Sequence, residues 1–122
     1  MRPFRLVERD VRPGCREIRV EGELDFSVAG QLREMLEGIA EECTEILIGL
    51  QSCEFIDSTG IAIVVSAHQQ LAKQGRRVAM YAPTSQVLRI LSVTGLTSNG
   101  LVFESLDKAL LGSEQSSAPE QP

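Results

Sequence analysis

The sequence predicts an α/β fold, in which an N-terminal β-hairpin is followed by right-handed βα repeats. We expect a mixed sheet of about five strands, with about four helices mainly on one face. Three observations support this prediction. Two runs of alternating apolar and polar residues flank a Pro-Gly pair, and strand-like and helix-like segments then alternate along the chain. With 122 residues, of which 43% are hydrophobic, the chain has the size of one domain.

The predicted hairpin consists of residues 4–9 and 15–21, joined by a turn at residues 13–14. In the second strand, Ile18 and Val20 share one face. The opposite face carries charged residues only: Glu17, Arg19, Glu21 and Glu23. This pattern indicates a half-buried strand with one solvated face, so we expect the helices mainly on the other side of the sheet.

Three further strands are predicted from short apolar runs at residues 45–50, 77–82 and 101–104. The run at 45–50 is apolar on both faces, which is typical of a central strand in a parallel sheet. It is therefore expected to lie in the middle of the sheet, with helices covering it.

Four helices are predicted from apolar residues at helical spacing. Ser27 is the expected N-cap of the first, whose apolar stripe ends at Cys43. The second spans residues 58–74 and the third opens at 83–85. The fourth spans 105–111 and ends at a glycine.

One domain, residues 1–111, is expected to be followed by a disordered tail over residues 112–122. The tail consists of Ser, Gln, Glu, Pro and Ala with one Gly, a composition that cannot build a core. No apolar run approaches the ~20 residues of a membrane span. The N-terminus lacks the apolar stretch of a secretory signal, so a cytoplasmic protein is expected.

The net charge of −5 is unevenly distributed. Residues 21–57 carry ten acidic side chains against a single base, Arg33. The arginines near the N-terminus alternate with acids and apolar residues and form no basic patch. Nucleic acid is therefore not an expected partner, because its binding depends on clustered positive charge.

Cysteine and histidine give no familiar metal pattern. Cys15, Cys43 and Cys53 have no C-x-x-C spacing, and His68 is the single histidine, so no metal site is predicted. The thiols are expected to pack as small apolar residues, with a regulatory thiol as the alternative. Glycine-rich nucleotide loops are absent from the sequence, and no cofactor is predicted.

The most distinctive segment, residues 54–62, follows the central strand and opens the second helix. It contains Asp57, Ser58, Thr59 and Gly60 at a helix N-terminus, where free N–H groups favour negative charge. One interpretation is helix capping alone. The other is a regulated hydroxyl, with Ser58 rather than Thr59 as the phosphoacceptor and Gly60 leaving the backbone open to a partner.

Asp25 ends the second strand and is expected near Ser58, because the carboxyl ends of adjacent parallel strands lie together. A turn or capping role is the alternative for this residue. With Glu54 and Asp57, it would place three carboxylates around Ser58. A hydrolytic serine is not expected, because His68 lies ten residues further along the helix, about 15 Å away.

On these residues the sequence resembles a STAS domain, and specifically a bacterial anti-sigma-factor antagonist, over about residues 3–111. The resemblance depends on four segments, of which the Asp-Ser-Thr-Gly stretch in this setting is the most specific. They are residues 20–25, 55–62, 75–78 and 87–96.

The resemblance implies the STAS fold and a non-enzymatic partner switch. Ser58 matches the serine that a serine-kinase anti-sigma factor phosphorylates in such proteins. The unmodified form binds that anti-sigma factor and frees the sigma factor. Phosphorylation dissociates this complex, and a metal-dependent serine phosphatase restores binding by removing the phosphate. Asp25, Asp57, Thr59 and Gly60 are then expected to bind the partner together with Ser58.

One departure from the family pattern falls in the central strand. Relatives usually carry an aspartate where this chain has Gly49, so the resemblance implies that one carboxylate of the usual acidic pocket is missing. The departure keeps a second hypothesis open, namely a STAS scaffold or accessory subunit of a transport or signalling complex that is not phosphorylated.

Overall fold

In a computed structural model, which describes residues 3–98 and 100–116, the predicted hairpin forms one edge of a mixed five-stranded sheet. The strands are β1 (Arg5–Arg12), β2 (Cys15–Leu24), β3 (Glu45–Ile56), β4 (Arg77–Tyr81) and β5 (Val102–Phe103). They lie in the order β1-β2-β3-β4-β5, with β1 antiparallel to β2 and the other pairs parallel. The predicted sheet is confirmed.

Within the described residues, four α-helices connect and cover the strands. They are α1 (Ala29–Ile39), α2 (Ser58–Ala72), α3 (Ser85–Val93) and α4 (Leu106–Ser116), and a 3₁₀ turn follows α3 at Leu96–Ser98. Buried residues of α1, α2 and α3 share one core with the sheet, whereas α4 packs on the opposite face against β4 and β5. Three of these helices therefore cover one face, as expected.

The main core follows from alternation along the two central strands. Ile18 and Val20 of β2 and Ile46, Ile48 and Leu50 of β3 point towards α1–α3 and are completely buried. A smaller cluster on the opposite face contains Leu47, Ala79, Tyr81 and Ala109. Because β3 contributes to both clusters, the prediction of a central strand is confirmed.

Strand β3 is longer than the sequence pattern predicts. It runs for 12 residues to Ile56, pairing with β2 along the way. The register shifts twice, between Arg19 and Glu21 and between Gly22 and Glu23, and each shift places an extra residue on β3. Such bulges break the period-two alternation, which is why the sequence pattern of residues 51–56 does not predict a strand.

The N-cap predicted for α1 is wrong. Val28 occupies the N-cap position and makes no side-chain capping bond. The Ser27 hydroxyl instead donates to Asp25 Oδ1 at 2.6 Å. A turn centred on the preceding aspartate thus uses the group that was expected to cap the helix. The helix also ends at Ile39, before the predicted end of its apolar stripe at Cys43.

The end predicted for the fourth helix is also wrong, because α4 continues through Gly112 to Ser116. A Cβ at position 112 would lie 2.6 Å from the Phe103 ring, so the glycine lets the helix pass close to β5. The predicted tail therefore starts too early at residue 112, and its residues 117–122 lie outside the described residues.

The charged face of β2 is less solvated than predicted. Glu17 is only 1% exposed, and its carboxylate accepts from Arg9 Nε at 2.8 Å, with Arg19 Nη2 at 3.9 Å. Arginines of β1 and β2 thus cover the glutamate between them. The prediction of a solvated position is wrong for Glu17, because sequence alternation does not show what neighbouring side chains cover.

Candidate functional site

The site lies at the carboxyl edge of the sheet, where the β2–α1 loop meets the start of α2. Asp57 Oδ2 accepts from the Phe26 N–H at 2.9 Å, and the Asp57 N–H donates to the Leu24 carbonyl at 3.2 Å. These two bonds join the ends of β2 and β3. The expected proximity of the two loops is confirmed.

Asp57 is the N-cap of α2. Its backbone is extended, and its Oδ1 accepts from the Gly60 N–H at 3.0 Å, while its carbonyl accepts from Ile61. An N-cap of this kind typically stabilises a helix by about 1 kcal/mol. One carboxylate therefore caps α2 with one oxygen and holds the β2–α1 loop with the other.

Asp25 organises the loop that leads into α1. Its Oδ1 accepts from the Ser27 N–H at 3.0 Å and from the Ser27 hydroxyl. Its carbonyl accepts from the N–H groups of Val28 and Ala29 at 3.1 and 2.9 Å. The interpretation of Asp25 as a turn residue is thus confirmed, and this turn places it one residue from Phe26.

Ser58 and Thr59 are the first two residues of α2, and both are exposed. Asp57 satisfies the next two N–H groups, whereas those of Ser58 and Thr59 have no hydrogen-bond partner within the described residues. Their hydroxyls thus stand at a helix end with two free donors. Such an end favours a negatively charged group.

Gly60 has a packing role. It is buried, and a Cβ there would lie 2.8 Å from Leu24 Cγ and 3.0 Å from the Leu24 carbonyl. Because its N–H is donated to Asp57, the expectation that Gly60 leaves the backbone open to a partner is wrong. The glycine instead lets the start of α2 approach the end of β2.

Position 49 lies away from this site. Gly49 pairs with Arg19 and Ile56 pairs with Leu24, so five residues of β2 separate the two levels, or about 16 Å. A carboxylate at position 49 would therefore not reach Ser58 in this fold. The aspartate that the family resemblance leads one to expect at position 49 would therefore not contact the serine.

Sequence reasoning missed Phe26. Its side chain is 76% exposed although it follows the buried Leu24 by two residues, the spacing that would place it in the core of a continuing strand. The turn at Asp25 ends the strand and directs the ring outwards. A large apolar residue directly after a turn-forming aspartate was the available signal.

The remaining candidate groups are structural. His68 is half-buried, with Nδ1 3.3 Å from the Val78 carbonyl, as expected for a packed boundary histidine. All three cysteines are buried. Burial, with the nearby Glu45 carboxylate, raises the pKa of Cys15 to about 12, and burial raises the pKa of Cys53 to about 11. These two thiols are therefore weak nucleophiles near neutral pH.

The described part of the chain offers neither a metal-ion cluster nor a membrane-spanning helix. Residues 3–98 and 100–116 contain no group of three or more His, Cys, Asp or Glu side chains arranged to hold a metal ion. Within the same residues, none of the helices has the length and apolar character needed to cross a bilayer.

Sequence comparison relates the chain to regulatory proteins. It is 30% identical over 80 residues to an anti-sigma-B factor antagonist of Bacillus subtilis, which covers 66% of this chain and 73% of that protein. It is 27% identical over 106 residues to an anti-sigma F factor antagonist of Paenibacillus polymyxa, and this match covers 85% of this chain and 91% of that protein.

Solved structures share the fold. An anti-sigma factor antagonist from Mycobacterium paratuberculosis superposes with a TM-score of 0.80 at 24% identity, over 92% of this chain and 95% of that one. Unphosphorylated SpoIIAA, an anti-sigma factor antagonist, superposes with a TM-score of 0.72 at 21% identity, over 97% of this chain and 100% of that one. A sulfate transporter family protein from Wolinella succinogenes superposes with a TM-score of 0.71 at 22% identity, over 88% of this chain and 90% of that one. The family model for the STAS domain matches residues 7–109.

Proposed function

Because this chain belongs to the STAS domain family, we propose that it is an anti-sigma-factor antagonist switched by phosphorylation of Ser58. In its unphosphorylated form it binds a serine-kinase anti-sigma factor, which then releases its sigma factor. Phosphorylation of Ser58 by that kinase ends the complex, and a metal-dependent serine phosphatase resets it. The chain itself acts by binding and is not an enzyme.

The observation that carries the proposal is the exposed Ser58 hydroxyl at the first position of α2, directly after the Asp57 cap. A kinase reaches this hydroxyl without unfolding the helix. The neighbouring free N–H groups tolerate a phosphate, since a helix N-terminus stabilises an anion by about 0.3–1 kcal/mol. Phosphorylation is therefore compatible with the intact fold.

The same position explains how a phosphate would end binding. It adds roughly −2 of charge next to Asp57, with Asp25 on the adjoining loop. A partner that covers Ser58 would have to bury this charge or oppose it with its own carboxylates, at a cost of several kcal/mol. A loss of about 3–4 kcal/mol weakens a complex by roughly 100- to 1,000-fold. A local change of charge is therefore sufficient to end binding.

The relatives support the proposal in kind. The two sequence relatives compared above are named antagonists of anti-sigma factors, and structures of SpoIIAA exist in an unphosphorylated and a phosphorylated form. For this chain, the partner and the modification are our inference from that kinship and from the exposed serine.

The test uses purified kinase-type anti-sigma factors of the source organism, each mixed with the chain and ATP. We expect one of them to add a single phosphate, seen by intact mass, to the wild type and to Thr59→Ala but not to Ser58→Ala. The same partner should bind Ser58→Ala like the unmodified wild type and bind Ser58→Asp at least about 100-fold more weakly. Equal binding of both serine variants would contradict the switch.

A second candidate is an unphosphorylated STAS scaffold or accessory subunit of a transport or signalling complex. The structural likeness to a sulfate transporter family protein favours it. Under this alternative no kinase modifies Ser58 or Thr59, and Ser58→Asp leaves binding to the partner complex unchanged. The mass measurement described above therefore separates the two candidates.

A further inference from the structure

An exposed aromatic side chain adjoins the proposed phosphorylation site. Four large apolar side chains of the described residues are exposed, namely Phe26, Leu88, Val93 and Leu111, at 76%, 41%, 84% and 52%. Phe26 belongs to the β2–α1 loop, which Asp57 holds against the start of α2, whereas the other three lie on α3 and α4. The backbone of Phe26 is thus held next to the helix end that carries Ser58 and Thr59.

The backbone that presents this ring is held on both sides. The Phe26 N–H donates to Asp57 Oδ2 at 2.9 Å, and the next residue, Ser27, donates its N–H and its hydroxyl to Asp25 Oδ1. A phenylalanine on a fixed loop has two side-chain torsions left to order, so little entropy is lost when a partner buries it. Aromatic residues with these properties commonly dominate the energy of protein interfaces.

We propose that Phe26 is the aromatic anchor of the surface through which this chain binds its anti-sigma factor, and that its ring enters an apolar pocket of that partner. The inference rests on the function proposed above. A protruding ring beside two exposed hydroxyls fits a concave protein surface that covers all three.

The anchor also gives Asp57 a positioning role in binding. Its carboxylate joins the loop that presents Phe26 to the helix that presents Ser58. A phosphate on Ser58 would stand beside this junction, and closing the partner over Phe26 would then bury the phosphate as well. The apolar contact and the charge switch therefore share one surface.

The experiment measures binding by isothermal titration calorimetry, using the anti-sigma factor that binds the wild-type chain in the test above. We expect Phe26→Ala to raise Kd at least about 30-fold, as for other interface anchors, and Phe26→Leu to recover much of the loss. Val93→Ala is the control, because Val93 is also an exposed apolar residue, at 84%, but it ends α3 and does not belong to the β2–α1 loop. Its Kd should stay within about two-fold of the wild type.

Each outcome decides the proposal. If the wild type binds and Phe26→Ala binds within about three-fold of it, Phe26 is no anchor and the proposed function stands without it. If no anti-sigma factor binds the wild type, both proposals fail. A wild type that dimerises through Phe26, seen as dimers by light scattering that Phe26→Ala abolishes, would mean that a second copy covers the ring, and this would overturn the inference. Unfolding curves of all variants exclude misfolding as the cause.

Discussion

Two groups of carboxylates in this chain are held in opposite ways. The sheet-face carboxylates, Glu17 and Glu45, are buried on the face of the sheet opposite α1–α3 and are paired with arginines. The site carboxylates, Asp25 and Asp57, stand at the carboxyl edge and accept from backbone N–H groups and one hydroxyl of the β2–α1 loop and of the start of α2. The first group stabilises the sheet through ion pairs, and the second group shapes the surface around Ser58.

The sheet-face carboxylates are neutralised by side chains of neighbouring strands. Glu45 at the start of β3 is 6% exposed, and it bonds to Arg12 of β1 at 3.2 Å and to Arg77 of β4. The pair with Arg77 lies between β3 and β4, and the Arg77 side chain is itself only 17% exposed. The charges cancel where they are buried, as burial of ions requires.

The site carboxylates remain uncompensated. Among the residues that the structure describes, no Lys or Arg contacts Asp25 or Asp57, whose partners are backbone N–H groups and one hydroxyl. Backbone amides stabilise an ionised carboxylate without removing its charge from the surface. Acidic residues thus serve two purposes in this chain. Those paired with arginine side chains stabilise the sheet, and those held by backbone N–H groups keep their charge at the surface.

The largest effect should come from removing a sheet-face carboxylate. Glu45→Gln leaves the mostly buried Arg77 without its counter-ion, so the free energy of unfolding should fall by about 3 kcal/mol. The control is Asp25→Asn, which should cost less than about 1 kcal/mol because the turn it closes is exposed. Both are measured by urea denaturation. Equal losses would show that the two groups do not differ as described.

The next effect concerns the packing beneath the site. Gly60→Ala places a methyl group 2.8 Å from Leu24 Cγ, so the start of α2 must shift and stability should fall by about 2 kcal/mol. Gly38→Ala is the matched control in α1. A Cβ there has nothing within 4 Å, so this change should stabilise the helix by about 0.5–1 kcal/mol. Two losses of equal size would mean that Gly60 has no special packing role.

These contrasts also show which features of the structure could be predicted from the sequence. Period-two and helical spacing predicted the hairpin, the sheet and three of the four helix starts, because local pattern determines which face of an element is buried. The meeting of the β2–α1 loop with the start of α2 was predictable from the rule that parallel strands end at a common edge. For these features, residues close in sequence decide the structure.

The features that were missed depend on contacts between distant residues. Glu17 is buried because arginines of two strands cover it, and the bulges of β3 arise from its pairing with β2. Phe26 is the exception, because the turn at Asp25 that directs its side chain outwards is a local feature. Gly60 is required by Leu24, 36 positions earlier in the chain. None of these partners can be identified from spacing alone.

A smaller effect tests the double role of Asp57. Asp57→Ala removes the cap of α2 and the acceptor of the Phe26 N–H, so the free energy of unfolding should fall by about 1–2 kcal/mol. Hydrogen exchange measured by NMR should speed up at the amides of Phe26 and Gly60 beyond the global loss. The amides of β4 serve as internal controls. Uniform acceleration would contradict a junction held by this carboxylate.

The smallest effect concerns the carboxylate that relatives carry in the central strand. If position 49 lies about 16 Å from the level of Ile56, further than a Debye length of about 10 Å, a charge there should barely act on Ser58. The Ser58 phosphorylation rate of Gly49→Asp should therefore match that of Gly49→Asn within about two-fold. The asparagine is the matched control, because both side chains crowd Tyr81 and Gln51 equally and only the charge differs. A rate for Gly49→Asp ten times that of Gly49→Asn would require about 1.4 kcal/mol of coupling, which this separation does not allow. That result would place position 49 in the site and would extend the uncompensated group of carboxylates into the sheet.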